Sequence, residues 1–272
     1  MSNLIESFPK FSFCVEVSAD FAEFTSKKDE RTSYPVPTSG ALRGMLESVF
    51  WKPAIRYIVR KVEVLEPIDR ISIKKNELKT YSYSKSTING KDNRIQRNNS
   101  YLKNVRYRVY ADIVFIPQEH RRNFCHKGND MEYHDGENPR KYFEILKRRV
   151  EKGQHRYSPY LGTRDCVCNE IEWIDENSPK AEPIDESIDL GMMYVDYLYQ
   201  EDYTKDERKA MDDFFQKEME RLPSEVKSSK SVWQPRPVVA QMKMEHGVVE
   251  YPSKYDLKDA MLERMSEFFK KG

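Results

Sequence analysis

The sequence predicts an α+β fold: a ferredoxin-like (βαββαβ) domain with a basic β-hairpin insertion, followed by a smaller antiparallel β region with added helices. Three observations predict it. Period-two and period-3.6 hydrophobic patterns succeed one another as strand, helix, strand, strand or hairpin, strand, helix, strand through about residue 173. A polar, lysine- and arginine-rich excursion interrupts that order near residues 79–104. Beyond it the chain turns acidic and the patterns shorten. The expected division is a domain over 1–165 and a second over 166–272.

The elements follow in order. Phe11, Phe13, Val15 and Val17 alternate with Ser12, Cys14 and Glu16, the pattern of a half-buried strand. Leu42, Met45, Leu46, Val49 and Phe50 recur at helical spacing behind a Thr38 or Ser39 cap, and Pro53 ends that helix. Residues 55–65 are rich in β-branched side chains and predict a strand, and 72–78 a further one. Asn89-Gly90 marks a turn inside the basic excursion. Val105, Tyr107, Val109, Ala111, Ile113 and Phe115 form the clearest strand, with Arg106 and Arg108 on its other face. Residues 118–137 read as loop. Asn138-Pro139 opens a second helix with stripe Phe143, Leu146 and Val150, and Gly153 stops it. Residues 157–173 return to strand. In the second half, Thr204-x-x-Glu207 is a capping box before an acidic helix over 204–221. Short strands fall within 232–251, broken by Pro235 and Pro237, and a terminal helix covers 256–271.

Composition narrows the function classes. Of 272 residues, 38% are hydrophobic and 12% aromatic, too many for a wholly disordered chain. No apolar run is long enough to span a membrane, and the N-terminus lacks signal-peptide order. Four cysteines are too few for a disulfide scaffold, so a reducing, cytoplasmic setting is expected.

The formal net charge of +1 conceals a separation of charge. Lys79 to Tyr110 carries eight Lys/Arg (among them Lys85, Lys91, Arg94, Arg97, Lys103, Arg106 and Arg108) against Asp92 alone, a local net of +7. Glu170 to Arg221 carries seventeen acids against six bases, a net of −11. Tyr81, Tyr83, Tyr101, Tyr107 and Tyr110 are interleaved with the first group. Cations that neutralise phosphates, set among rings that can stack on bases, suit single-stranded nucleic acid. An ordinary basic loop beside a tyrosine-rich strand has the same composition. Cys125-His126 with His134-Asp135 fits no standard zinc spacing, so no metal and no cofactor is expected.

Several segments resemble a known family. They are Tyr34-Pro35-Val36-Pro37-Thr38, Ala41-Leu42-Arg43-Gly44 and Glu47-Ser48-Val49-Phe50-Trp51-Lys52-Pro53. Further on come Lys141 to Arg149, Lys152-Gly153-Gln154, Tyr160-Leu161-Gly162-Thr163-Arg164-Asp165-Cys166 and Ile188-Asp189-Leu190-Gly191-Met192-Met193. In this order they resemble the CRISPR-associated (Cas) family five, subtype I-C. The resemblance implies an RNA-recognition-type ferredoxin fold and a subunit that cuts pre-crRNA at each repeat hairpin. It also implies that the subunit stays on the 5′ handle of the mature CRISPR RNA, in the backbone of the Cascade surveillance complex that meets target DNA.

The chemistry implied is metal-independent: a base takes the 2′-hydroxyl proton, cations stabilise the phosphorane charge, and an acid protonates the 5′-oxygen. The family places a tyrosine at the end of the first helix and a Lys-His pair at the start of the second. Here those positions hold Phe50, Lys141 and Tyr142. Phenylalanine has no proton to exchange. Tyr142 can donate one, and His155 after Gly153 can supply an imidazole. Lys141, Tyr142 and His155 are therefore the candidate catalytic residues. Arg43, Trp51, Lys52 and Arg156 join the basic ribbon as candidate RNA contacts. The alternative is a catalytically inactive crRNA-binding scaffold of Cascade, with Phe50 and Tyr142 marking lost chemistry.

Overall fold

The computed structural model describes residues 4–24, 32–78, 93–124, 137–178, 181–221 and 235–270. Its main sheet is built from β1 (Lys10–Ala22), β2 (Ile55–Val64), β4 (Arg94–Phe115), β5 (Glu170–Ile174) and β8 (Val248–Glu250), in the order β5-β1-β4-β2-β8. All of its pairings are antiparallel. With β8 set aside, this is the ferredoxin-like order, each βαβ crossover leaving room for a strand between its two. The crossovers carry α1 (Ser39–Val49) and α3 (Pro139–Glu151).

Both helices start where the sequence places them. Thr38 Oγ1 accepts from Ala41 N at 3.1 Å, and Asn138 Oδ1 accepts from Lys141 N at 2.8 Å ahead of Pro139. Their apolar stripes (Leu42, Met45, Leu46; Leu146, Val150) lie on one face of the sheet. There they bury Phe13, Val15 and Val17 of β1 and Tyr107, Val109 and Ala111 of β4.

The opposite face of the sheet is polar. Arg108, 2% exposed, bonds both Glu16 (2.7 and 2.9 Å) and Glu63 (2.7 Å). Arg106 reaches Glu16 at 2.7 Å. Asp112 holds Ser12 at 2.6 Å and Arg60 at 2.8 Å, and Arg60 goes on to Glu6. Partial burial disfavours the charge of Glu6, yet hydrogen bonds from Arg60, Ser253 and Lys10 override that and hold its carboxyl at about 2.

β4 is longer than the alternation from Val105 suggests. Its first half, from Arg94, pairs with β3 (Asp69–Leu78) as a two-stranded ribbon in register Asp69↔Lys103 to Leu78↔Arg94. The basic insertion is thus the outer end of one continuous 22-residue strand and its partner. Its middle, with Asn89-Gly90, Lys85 and Lys91, lies outside the described residues.

Four expectations need correction. The predicted loop 118–137 contains a short helix, α2 (Gln118–Phe124). The predicted strand 157–173 is a loop with one isolated bridge, Tyr160↔Val167, and becomes strand only at Glu170. The expected division at 165/166 falls before β5, which pairs with β1 and completes the ferredoxin-like sheet. And β8, from the acidic half, extends that same sheet.

The rest of the C-terminal part is a β6–β7 ribbon (Ile188–Leu198, Arg236–Met244) with α4 (Lys205–Arg221) and α5 (Lys254–Lys270). The Thr204 capping box is present: Glu207 N donates to Thr204 Oγ1, and Thr204 N to Glu207 Oε2. Asp202, 2% exposed, accepts from Lys254 Nζ at 2.9 Å and Tyr255 OH at 3.1 Å. Burial opposes its charge, but Lys254 and the Tyr199 amide hold the carboxyl below its ordinary value.

Candidate nucleic-acid interface and active site

The C-terminal end of α1 is an anchor point. A helix ends with unpaired carbonyls, and each must find a donor. Arg149 of α3 donates to Val49 O at 2.8 Å, and Tyr57 OH to Phe50 O at 2.8 Å. The main-chain N–H groups of Arg156 and Tyr157 both donate to Ser48 O, at 2.8 and 3.2 Å. The loop that follows α3 is thereby fastened beside the end of α1. Gly153 makes this possible: at φ +60° it turns the chain out of α3 while its N–H and that of Gln154 satisfy Val150 O and Arg149 O.

This docking brings together side chains far apart in sequence. Trp51 (38% exposed) and Lys52 leave α1, while His155, Arg156 and Tyr157 (63% exposed) leave α3. Arg148 and Lys152, both exposed, add charge from the last turn of α3, where cations are also favoured by the helix dipole. The Arg156 guanidinium lies 5.2 Å from the centre of the Tyr157 ring. His155 has no hydrogen-bond or ion-pair partner among the described residues. His120, by contrast, packs on Phe8 and His246 pairs with Asp185. Free cations, two exposed rings and an unengaged imidazole form a surface suited to a single strand of nucleic acid.

The sequence names Trp51, Lys52, His155 and Arg156 as separate candidates and does not name Tyr157, Arg148 or Lys152. The signal existed: Arg140 to Arg156 carries seven Lys/Arg against two Glu.

Phe50 and Tyr142 do meet, with ring centres 6.0 Å apart, and Phe115 lies 5.8 Å from Tyr142 on another side. Tyr142 is only 6% exposed, and its hydroxyl donates to Glu137, which is ion-paired with the buried Arg121. Burial, reinforced by that carboxylate, pushes the phenol well above its ordinary value. The expectation that Tyr142 presents a proton to a substrate is corrected: its hydroxyl is turned inward and occupied. Lys141 is exposed on the first turn of α3. The structure does not bring it to His155, because the two sit at opposite ends of a 13-residue helix, roughly 15–20 Å apart at 1.5 Å per residue.

Other candidate RNA contacts fall differently. Arg43 is committed to Asp196 (2.8 and 2.9 Å) and Glu47 (2.8 Å), which hold it charged in spite of its burial; it ties α1 to β6 and is corrected from a phosphate contact to a structural clamp. Arg108 is likewise a core ion-pair residue, not a surface contact. Arg106 keeps 41% of its side chain exposed while bound to Glu16. Arg97 faces Glu77 at 3.8 Å and Lys103 faces Asp69 at 3.7 Å, loose surface pairs that a polyanion can displace. Arg94 is exposed. Lys85 and Lys91 lie outside the described residues, as do Cys125, His126, His134 and Asp135. Of the tyrosines expected to stack on bases, Tyr101 and Tyr107 are buried. Tyr110 is held by Glu63 with Lys61 over its ring, and burial with Glu63 raises its phenol to about 12.

Comparison with known proteins gives the family. A profile of the Cas5d type of CRISPR-associated protein (Cas_Cas5) matches residues 13–227. The chain belongs to this family. Two relatives named CRISPR pre-crRNA endoribonuclease Cas5d are similar to it. The one from Thermus thermophilus is 36% identical over 192 residues, covering 69% of this chain and 74% of the relative. The one from Mannheimia succiniciproducens is 34% identical over 181 residues, covering 61% and 73%. A crystal structure of a CRISPR-associated protein, 22% identical, shares the fold with a TM-score of 0.56 over 90% of this chain and 94% of its own. Within this Cas5d chain, the matched region contains α1, α3, the loop joined to them and the ferredoxin-like sheet except β8 and the first three residues of β1. No helix among the described residues is long and apolar enough to cross a membrane.

Proposed function

We propose that this chain is a pre-crRNA endoribonuclease that cuts CRISPR repeat RNA and stays bound to the 5′ handle as a cytoplasmic Cascade subunit in antiviral defence. Its other partners are then the neighbouring Cascade subunits and, through the complex, target DNA. Membership of the Cas5d family supports the reaction class. The observation that supports the site is the docking of the Arg156 and Tyr157 N–H groups on Ser48 O, which fastens the His155 loop beside the end of α1, from which Trp51 and Lys52 follow.

The reaction needs no metal. The His155 imidazole accepts the proton of a ribose 2′-hydroxyl, whose oxygen attacks the adjacent phosphorus. The bond from phosphorus to the 5′-oxygen breaks as the 2′-oxygen bond forms. Arg156 and Lys52 stabilise the added negative charge, and Lys52 gives a proton to the departing 5′-oxygen. The products are a 2′,3′-cyclic phosphate and a 5′-hydroxyl. Lys141 holds the strand where it crosses the start of α3, and Arg94, Arg97, Lys103 and Arg106 contact it along the ribbon.

One observation favours a second reading, a crRNA-binding scaffold without chemistry. Phe50 and Tyr142, at the family's catalytic positions, pack together in the core. The test is incubation of the protein with its own repeat hairpin in excess EDTA, beside His155→Ala and Lys141→Ala. A single cut ending in a cyclic phosphate, abolished by His155→Ala and slowed by Lys141→Ala, supports the ribonuclease. Tight binding without a cut supports the scaffold. A cut that survives His155→Ala overturns the assignment of the base.

A further inference from the structure

Beside the surface just described lies a cleft of about 570 Å³ between the end of α3, the 153–159 loop and β5. Its volume is within the range of small-ligand sites, about 300–1,000 Å³. Part of its lining is apolar: Ile171 and Trp173 are half-buried there, with the Trp173 ring stacked on Phe13 at 5.4 Å, and Val49 and Val150 are buried. One wall is the outer edge of β5. That strand pairs with β1 and has no second strand beside it among the described residues. Alternate backbone N–H and C=O groups of an edge strand point outward, ready to read hydrogen-bonding groups.

Charge is sorted across this region. The exposed cations Lys52, Arg148, Lys152 and Arg156 are not among the residues lining the cleft, whereas Glu151, Glu170, Glu172 and Asp175 line it against one guanidinium, Arg149, which donates to Val49 O at 2.8 Å. A phosphate is repelled from the interior and held at the rim. A flat apolar ring bearing N–H donors is accepted inside. His155 belongs both to the lining and to the RNA-facing loop.

We infer that the cleft is a nucleobase pocket: it receives one unpaired, amine-bearing base, adenine, cytosine or guanine, from the nucleotide whose ribose lies beside His155. The inference rests on the RNA reading above and deepens it. It makes base identity at that nucleotide a determinant of where the strand is seated. The phosphates on either side lie against Arg156 and Lys152 while the base turns inward onto Val150 and Trp173.

The test is equilibrium binding of the full chain to its repeat hairpin, made uncleavable by 2′-deoxyribose in the unpaired nucleotides. Those nucleotides are made abasic one at a time. A single position should lose about tenfold in affinity, the order expected for one base on an aromatic surface. Val167→Trp provides the second arm. Val167 is 49% exposed at the cleft lining, so indole can cover the mouth without entering the core. That variant should bind the intact hairpin about tenfold more weakly, and the abasic penalty should vanish in it. A flat abasic scan, or a penalty that persists in Val167→Trp, overturns the pocket while leaving the RNA reading in place. Absence of any preference of the wild-type chain for its repeat hairpin over a scrambled RNA overturns both.

Discussion

Replacing Arg108 and replacing Arg156 should separate stability from RNA binding. Arg108 is 2% exposed and makes four hydrogen bonds, two to Glu16, one to Glu63 and one to Ala181 O. Arg108→Ala removes the buried cation between two carboxylates, leaving Glu16 with Arg106 and Glu63 with Lys61 and the Tyr110 hydroxyl. Breaking a buried ion pair costs about 3–5 kcal/mol. At about 2–4 °C per kcal/mol for a chain of this size, Tm should fall by about 10 °C. Arg156 differs, because its main-chain N–H docks the loop on Ser48 and its guanidinium is spare. Arg156→Ala should leave Tm within about 2 °C, a surface-substitution effect. It should also flatten the dependence of log K on log salt by about 0.7, the value of one lost single-strand phosphate contact. Thermal melts followed by fluorescence anisotropy on repeat RNA at four or five salt concentrations measure both quantities. An Arg108→Ala protein that melts like wild type but shows a flatter salt dependence refutes the placement of that arginine in the core. An Arg156→Ala protein with an unchanged slope refutes the interface.

Three further outcomes are expected. Gly162→Ala should be strongly destabilising, because at φ +87° its Cβ would stand 2.0 Å from Glu23 O; strain at such a position costs about 1–3 kcal/mol before the clash is counted, and urea denaturation measures it. Tyr142→Phe removes a buried donor from Glu137 and should cost about 1–3 kcal/mol while single-turnover cleavage at a permissive temperature keeps its rate; a rate loss of a hundredfold would return the hydroxyl to the chemistry. Glu6 (about 2), Glu63, Asp196 and Asp202 all have folded carboxyls below their ordinary values. The unfolded chain therefore binds more protons below about pH 4.5, so stability should be present above that pH and drain away toward pH 2, as a series of acid-jump denaturation curves would record.

Much of the fold is written in local pattern. The alternation from Phe11 to Val17, the stripe from Leu42 to Phe50, and the caps Thr38, Asn138 and Thr204 each appear in the structure where periodicity and capping chemistry put them. What local pattern missed is set by tertiary pairing. Residues 94–104 read as part of a basic hairpin, but that their strand runs on into the sheet strand from Val105 and pairs with β3 from Asp69 is fixed by tertiary hydrogen bonds. Residues 157–169 read as strand, but the Tyr157 N–H is taken by Ser48 O and the Leu161, Cys166 and Cys168 N–H groups by carbonyls within the loop itself. The site was legible in part for the same reason. Charge counts find arginines but do not tell which of them face a carboxylate. Arg43 and Arg108 proved to be claimed by Asp196 and Glu16, more than ninety residues away in each case. Tyr157 drew no notice in the sequence because its exposure depends on where α1 ends.

β4 runs for 22 residues, first as half of the ribbon and then as a central strand of the sheet, and its extended backbone is interrupted at Asn104, where φ is +51°. At about 3.4 Å per residue its contour is roughly 70 Å. The ribbon is the outer arm of this strand, turned at Asn104, and the inner arm is clamped between β1 and β2. A cargo that pulls on Lys74 or Arg94 bends the same strand that carries Tyr107 and Val109 under the helices. Seating of the guide at one end of the molecule is thus a mechanical load on the core, and the ion pairs around Arg108 sit where that load arrives.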